Sequence, residues 1–213
     1  MIGLMCKDPA RGKTRLAATM GAERAAIFAG AFLQDSAALA AEIAERLSVG
    51  AIAFAEGEVA LPGFSVMPQA AGDLGRRMEA AFETLGYPSL LLGTDAPTLP
   101  PSLAELAMAG LRGGADAALV PALDGGYCLL ALSRPLPALL RDMPWSTPGL
   151  MEATRRAAAG LRLVELPAWH DVDSEEDLAL LRLSVEGQSP SGCAALPPWR
   201  ATECRRILHD SRL

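Results

Sequence analysis

Short apolar runs alternate along this chain with longer stretches of helical periodicity, and that alternation leaves few folds open. Residues 1–6 (MIGLMC), 49–55 (VGAIAFA) and 89–93 (SLLLG) are near-continuously apolar, as strands buried on both faces are. Residues 63–67, 115–120, 127–132 and 162–166 complete the strand candidates. Between them, 15–47 carries Ile27, Phe28, Ala31, Phe32, Ala38, Leu39, Ile43 and Leu47 at helical spacing, with Gly21 placed to divide it. Residues 73–85, 100–111, 148–159 and 174–183 read as further helices. Pro100-Pro101 opens the second of these where a first-turn N–H would be unpaired anyway. Ser174 and Asp177 form a capping-box-like start to the last. The predicted architecture is α/β, a mostly parallel sheet with helices on both faces. The pattern stops near Ser184, so 1–183 is read as one domain. Residues 184–213 are a tail, either loosely ordered or a strap with a short Arg-rich helix near 202–209.

Composition removes several function classes. Nineteen Lys and Arg against 25 Asp and Glu give a net charge of −6, the wrong sign for a general nucleic-acid binder. No run is read as approaching the roughly 18 apolar residues of a membrane span, and Lys7-Asp8-Pro9 interrupts the first strand before it could serve as a signal core. The expectation is a soluble cytoplasmic protein. Cys6, Cys128, Cys193 and Cys204 form no CxxC pair; Cys6 and Cys128, in apolar runs, are read as buried free thiols, and Cys193 and Cys204 with His209 match no familiar zinc spacing. Arginine is the default cation, yet the chain's lysines, Lys7 and Lys13, both fall in one loop after the first strand.

In open α/β sheets, sites form where strands end, and the polar residues of this chain collect there. Lys7, Lys13 and Arg15 surround a Pro/Gly turn leading into a helix, a setting suited to a di- or triphosphate and equally to a solvated basic loop. Gly12-Lys13-Thr14 fails as a P-loop, because Lys7 stands where that motif needs glycine and Pro9 removes an N–H. Asp95 follows the third strand, poised to bind a cation or to cap the helix beyond it. Asp171 and Asp173, two residues apart, share one side of an extended segment. Two like charges so close call for Mg²⁺ or Mn²⁺ between them, or else Asp173 caps the last helix. His170 reads as a structural neighbour. Asp124-Gly125-Gly126 is a turn signal whose glycines allow close approach of a ligand. Trp145, beside Ser146 and Thr147, is placed to stack on a sugar or base, or to anchor the core.

KDPARGKTRL, QAAGDLGRRM, GTDAPTL, PALDGGYCLLAL, WSTPGLMEAT and DVDSEEDL, in this order over about 1–183, resemble bacterial GT-A-like proteins of the nucleotide-diphospho-sugar transferase superfamily. Many of those are known as arsenosugar-biosynthesis-type glycosyltransferases, a family formerly called a domain of unknown function. The resemblance implies a three-layer αβα sandwich. It implies that Lys7, Lys13 and Arg15 grip nucleotide phosphates, with Gln69, Gly72, Leu74 and Gly75 near the nucleotide. It makes Asp95 a metal ligand, with Asp171 or Asp173 as the second. Asp124 orients or deprotonates an acceptor, lined by Gly125, Gly126, Tyr127, Trp145, Ser146 and Thr147. The direct junction of Gly12 with Lys13 is closer to 2-phospholactate guanylyltransferases, which also end in a DVDTPEDL-like segment. The leading expectation is a Mg²⁺- or Mn²⁺-dependent glycosyltransferase moving a sugar from a nucleotide-sugar donor to a small-molecule acceptor. The alternatives are a nucleotidyltransferase, which joins an NTP to a phosphorylated acceptor and releases pyrophosphate, and a nucleotide-binding scaffold without turnover. The Ala-rich helices offer a surface for a homodimer.

Overall fold

The computed structural model describes residues 1–210. Seven strands form one sheet: β1 (Ile2–Lys7), β2 (Ala51–Glu56), β3 (Ser65–Pro68), β4 (Ser89–Leu92), β5 (Ala117–Pro121), β6 (Tyr127–Leu132) and β7 (Leu163–Glu165), in the spatial order β3-β2-β1-β4-β6-β5-β7. All neighbours are parallel except β6, which runs against both β4 and β5. The Asp124-Gly125-Gly126 turn folds β6 back along β5, so β6 enters between β5 and β4 from the opposite end.

The strands feed two cores by their two-residue period. Leu90 and Leu92 join one side, with Ala118 and Val120; Leu91 joins the other, with Ala117 and Leu119. On the first side lie α1 (Thr14–Met20), α2 (Ala22–Leu47), α4 (Pro101–Arg112), α6 (Asp177–Val185) and α7 (Thr202–His209); on the second lie α3 (Leu74–Leu85) and α5 (Leu150–Ala157). The αβα sandwich is thus present. Gly21, at φ +88°, separates α1 from α2 as its position predicts.

One sequence expectation needs correcting. By length and composition alone α2 is apolar enough to cross a membrane, with a mean hydropathy of 1.3 over its best window. Its alanines make it so, since Gln34 and Asp35 are the only polar interruptions for a dozen residues around them apart from Ser36. The helix packs as core: Phe28, Phe32, Leu39 and Ile43 are buried against the sheet and α4. Residues beyond Val185 return across this same helix. Ala194, Trp199, Ala201, Cys204 and Ile207 are buried in the first core. The Asp35 carboxylate, itself buried within α2, accepts the backbone N–H of Glu203 (3.0 Å) and of Cys204 (2.7 Å). Asp35 therefore caps α7 from another helix, since α7's own N-cap, Ala201, has no side-chain acceptor.

Candidate functional site

The carboxyl ends of β1 and β4 and the amino end of β6 surround a cavity of about 540 Å³. Its walls come from the 7–15 loop, Gln69, the first turn of α3, the 93–95 loop and the start of β6. Asp8 shapes the first wall. Its Oδ1 accepts the N–H of Ala10 (3.0 Å) and fixes a single 3₁₀ turn over Pro9–Arg11. Backbone hydrogen bonds tie the other walls together: Val172 donates to the Asp95 carbonyl (2.8 Å) and Trp169 to that of Pro121 (2.9 Å). In this way the last loop, 169–173, is laid beside the loop after β4.

Lys13 is the centre of this arrangement. It takes the left-handed backbone conformation (φ +52°) just before α1, which turns its side chain inward. The side chain is 6% exposed. Its Nζ lies 2.5 Å from Asp95 Oδ1, 2.8 Å from Asp173 Oδ1 and 2.5 Å from the Val172 carbonyl, and 5.3 Å from the centre of the Phe32 ring. Burial works against its charge, but Asp95 and Asp173 together outweigh burial and hold the ammonium's pKa above its ordinary value. Neither carboxylate caps a helix. Asp173 takes Lys13 and, at 3.4 Å, the more exposed Arg15. The cap-like role at 173–174 falls to Asp177, whose Oδ2 accepts from the N–H groups of Asp173 and Ser174 and from the Ser174 hydroxyl.

A second acidic group adjoins the first. Asp124, Asp171 and Asp173 bring one carboxylate oxygen each within 4.8 Å of one another. Burial, reinforced by Asp124 and Asp173, pushes the Asp171 carboxyl up to about 7. Asp124 Oδ1 is committed to the N–H of Gly126 (2.8 Å), which leaves the other oxygen of this exposed residue toward solvent. Asp124, Gly126, Ser146, Thr147 and Arg15 line a smaller cavity of about 150 Å³, and Arg15 and Ser146 border both cavities.

Other predicted residues divide between lining and packing. Lys7 lies at the rim, 3.6 Å from Glu56, and Leu74 lines the cavity. Gln69 also lines it, but its Nε2 is held by the carbonyls of Cys6 (2.8 Å) and Phe54 (3.0 Å), where it ties β1 to β2. Gly72 (φ +117°) turns the chain into α3. A Cβ on Gly75 would lie 1.8 Å from the Leu140 carbonyl oxygen, so this glycine seats α3 against the 137–140 turn. Gly125 (φ +96°) likewise meets Pro148, at 2.6 Å from its carbonyl oxygen, and holds the turn against the entry to α5. Trp145, partly buried, packs edge-on to Tyr127 with centroids 6.1 Å apart, against the second core. The Tyr127 hydroxyl and the Trp145 Nε1 are buried without a hydrogen-bond partner. His170 is buried, with Nε2 on Ser184 (2.8 Å) and Thr98 (3.1 Å).

Sequence reasoning missed Arg77. It lines the cavity from α3, donates to the Gly72 carbonyl (2.9 Å), and pairs with Glu56 at 2.5 Å. Arg77, with Lys7 beside it, holds the Glu56 carboxyl below its usual value. The signal available was the place of Arg77 in the first turn of α3, beside the glycine that seats this helix against the 137–140 turn. Phe32 and Arg11 were missed as well, because the α2 stripe reads as core and Arg11 as loop.

Residues 16–147 match the family described as "Uncharacterized protein conserved in bacteria (DUF2064)". The chain belongs to that family, within the GT-A-like nucleotide-diphospho-sugar transferase superfamily. Among solved structures, a provisionally assigned nucleotide-diphospho-sugar transferase from Desulfovibrio desulfuricans G20 is 26% identical with a TM-score of 0.78, over 97% of this chain and 93% of that one. CMP:2-keto-3-deoxy-manno-octonic acid synthetase, complexed with CTP, is 13% identical (TM-score 0.55; 87% and 98% covered). 4-Diphosphocytidyl-2C-methyl-D-erythritol synthase is 12% identical (TM-score 0.53; 85% and 96% covered). The latter two share the fold. No curated protein matches the chain significantly.

Proposed function

We propose that this protein is a transferase acting on a nucleotide-activated substrate, and that it is a glycosyltransferase with a nucleotide-diphospho-sugar donor. The observation that carries the reading is the cavity at the strand ends, where Lys7, Arg11, Arg15 and Arg77 face Asp95 and Asp173. A ligand that is anionic along one side and accompanied by a cation fits such a wall. The likeness to the Desulfovibrio transferase, which spans nearly all of both chains, supports the same donor class.

The residues present fit a divalent metal. Asp124, Asp171 and Asp173 supply only carboxylate oxygens, the donors preferred by Mg²⁺ and Mn²⁺. The Lys13 ammonium shows that Asp95 and Asp173 already share one cation. We assign Asp95, Asp171 and Asp173 as the metal-holding residues, with Asp124 at their edge. Such an ion supplies charge neutralisation to a leaving diphosphate. Lys7, Arg11 and Arg15 hold the phosphates, and Leu74 and Met78 close the apolar side of the cavity. Asp124 lines the smaller cavity, where its free oxygen accepts a hydrogen bond or a proton from an acceptor hydroxyl.

Nucleotidyl transfer is the second reading, favoured by the concentration of Lys7, Arg11 and Arg15 on one loop, a grip suited to a triphosphate. A thermal-shift panel of NTPs and nucleotide sugars, with and without Mn²⁺, on wild type and Asp95→Ala separates the readings. Saturation at 100 times the dissociation constant adds about 2.7 kcal/mol, a readily seen shift. A metal-dependent shift with one nucleotide sugar, lost in Asp95→Ala, is the expected result. A shift with NTPs alone, followed by pyrophosphate release, selects nucleotidyl transfer. No shift with any of them overturns the nucleotide reading.

A further inference from the structure

We propose that Lys13 is the internal counter-ion of the metal site: its ammonium pairs with Asp95 and Asp173, and an incoming divalent cation displaces it. The inference rests on the metal-dependent reading above and assigns one residue of this chain a role within it. An ammonium has three N–H donors. Here Asp95, Asp173 and the Val172 carbonyl take one each, all within 2.8 Å. Lys13 in this state therefore has no donor left for a phosphate, although it lines the cavity. To touch the donor at all it must first leave at least one of these three acceptors, and two of them are carboxylates.

The surroundings are arranged for such an exchange. Four carboxylates, Asp95, Asp124, Asp171 and Asp173, stand against the two cations Lys13 and Arg15. With all four ionised, the group holds an excess of two negative charges, the charge of one divalent ion. Lys13 also sits at a positive φ, which glycine or asparagine adopts more cheaply. The Phe32 ring lies 5.3 Å from the ammonium, and Lys13, Asp95 and Asp173 all line the cavity, so the displaced ammonium has the cavity to move into. Cation entry and Lys13 release toward the phosphates then become one event. Metal and donor binding are coupled, and the coupling is reciprocal.

The protein's two lysines make the test direct. Labelling lysine with ¹³C and ¹⁵N gives two side-chain ammonium signals, assigned with Lys7→Arg. Mg²⁺ is then titrated alone. The expected result is that the Lys13 signal shifts and loses its protection from solvent exchange as the metal saturates, while that of Lys7 stays. A Lys13 signal unmoved by saturating Mg²⁺ overturns the proposal and makes the ammonium a permanent fixture. A second measurement follows free Mn²⁺ by electron paramagnetic resonance. Lys13→Met should bind Mn²⁺ roughly tenfold more tightly than wild type, or better, because no competitor has to be displaced. Equal or weaker affinity, or no Mn²⁺ bound by either protein, overturns it too. If Lys13→Met does not fold, the wild-type NMR titration decides. Neither titration uses a donor, so a wrong donor class would leave both results standing.

Discussion

Replacing Asp35 by alanine tests whether the C-terminal helix is held from within α2. Asp35 is 3% exposed, and its carboxylate receives two backbone N–H groups of α7 at 3.0 and 2.7 Å. Hydrogen bonds to a charged group are worth about 1.5–3 kcal/mol each, and leaving the donors buried and unpaired adds to the loss. Burial acts the other way. It pushes the Asp35 carboxyl above its ordinary pKa, so alanine also removes a desolvated acid. The net cost should be about 2–4 kcal/mol, at or above the roughly 2 kcal/mol upper end for a lost cap, because two buried donors lose their acceptor. At this chain length each kcal/mol moves Tm by roughly 2–4 °C, so a fall of roughly 4–16 °C is expected. Asp35→Asn keeps one carbonyl acceptor and should fall between. The assay is thermal and urea unfolding followed by circular dichroism. A Tm unchanged within the scatter of surface substitutions, about 0.5 kcal/mol, would refute the account of α7 given above.

Gly75→Ala should destabilise the protein by about 2 kcal/mol or more, since its Cβ meets the Leu140 carbonyl oxygen and α3 must move; an unchanged urea midpoint would show that the 137–140 turn yields freely. Stability should also depend on His170. Burial holds its pKa down to about 4, against about 6.5 in the unfolded chain. Below about pH 6.5 the unfolded chain gains a proton the folded protein refuses, so stability present at neutral pH is lost toward pH 4, roughly 3 kcal/mol in all. Urea midpoints from pH 7 to 4.5 should fall more steeply for wild type than for His170→Gln, and parallel curves would contradict this. Once the thermal-shift panel yields a donor, Arg77→Ala should weaken it by about tenfold, or 1.4 kcal/mol, in titration calorimetry; unchanged affinity would remove Arg77 from the phosphate wall.

The layers of the fold could be read in the sequence because its parallel strands are buried on both faces. β1, β2 and β4 are short continuous apolar runs bounded by polar or turn residues. Gly21 marked the break between α1 and α2 for an equally local reason. The places where reading fell short all depend on distant partners. Asp35 looks like one polar residue on an amphipathic helix until α7 arrives. Lys13 looks like a loop cation reaching for solvent, yet its partners lie at Asp95 and Asp173. Trp145 had a stacking reading and a packing one, and its contact with Tyr127 depends on a residue 18 positions away in the chain. Gly75 was assigned to the nucleotide although its neighbour is the Leu140 carbonyl. The positions at the strand ends could be collected from sequence, but not which charges would neutralise one another there.

The span between Asp35 and its partners on α7, 168 and 169 residues, has a consequence for the order of folding. During synthesis α2, long and apolar enough by composition to cross a membrane, emerges well over a hundred residues before the segment that covers part of it. Until then α2 carries an uncovered greasy stripe with a carboxylate set into it. Contacts so far apart in the chain form slowly, and an exposed apolar helix invites association in the interval. A buried acid in that stripe makes wrong partners costly, because they must either leave it solvated or supply two donors. The carboxylate that caps α7 in the folded protein thus also disfavours other partners on the surface that α7 closes.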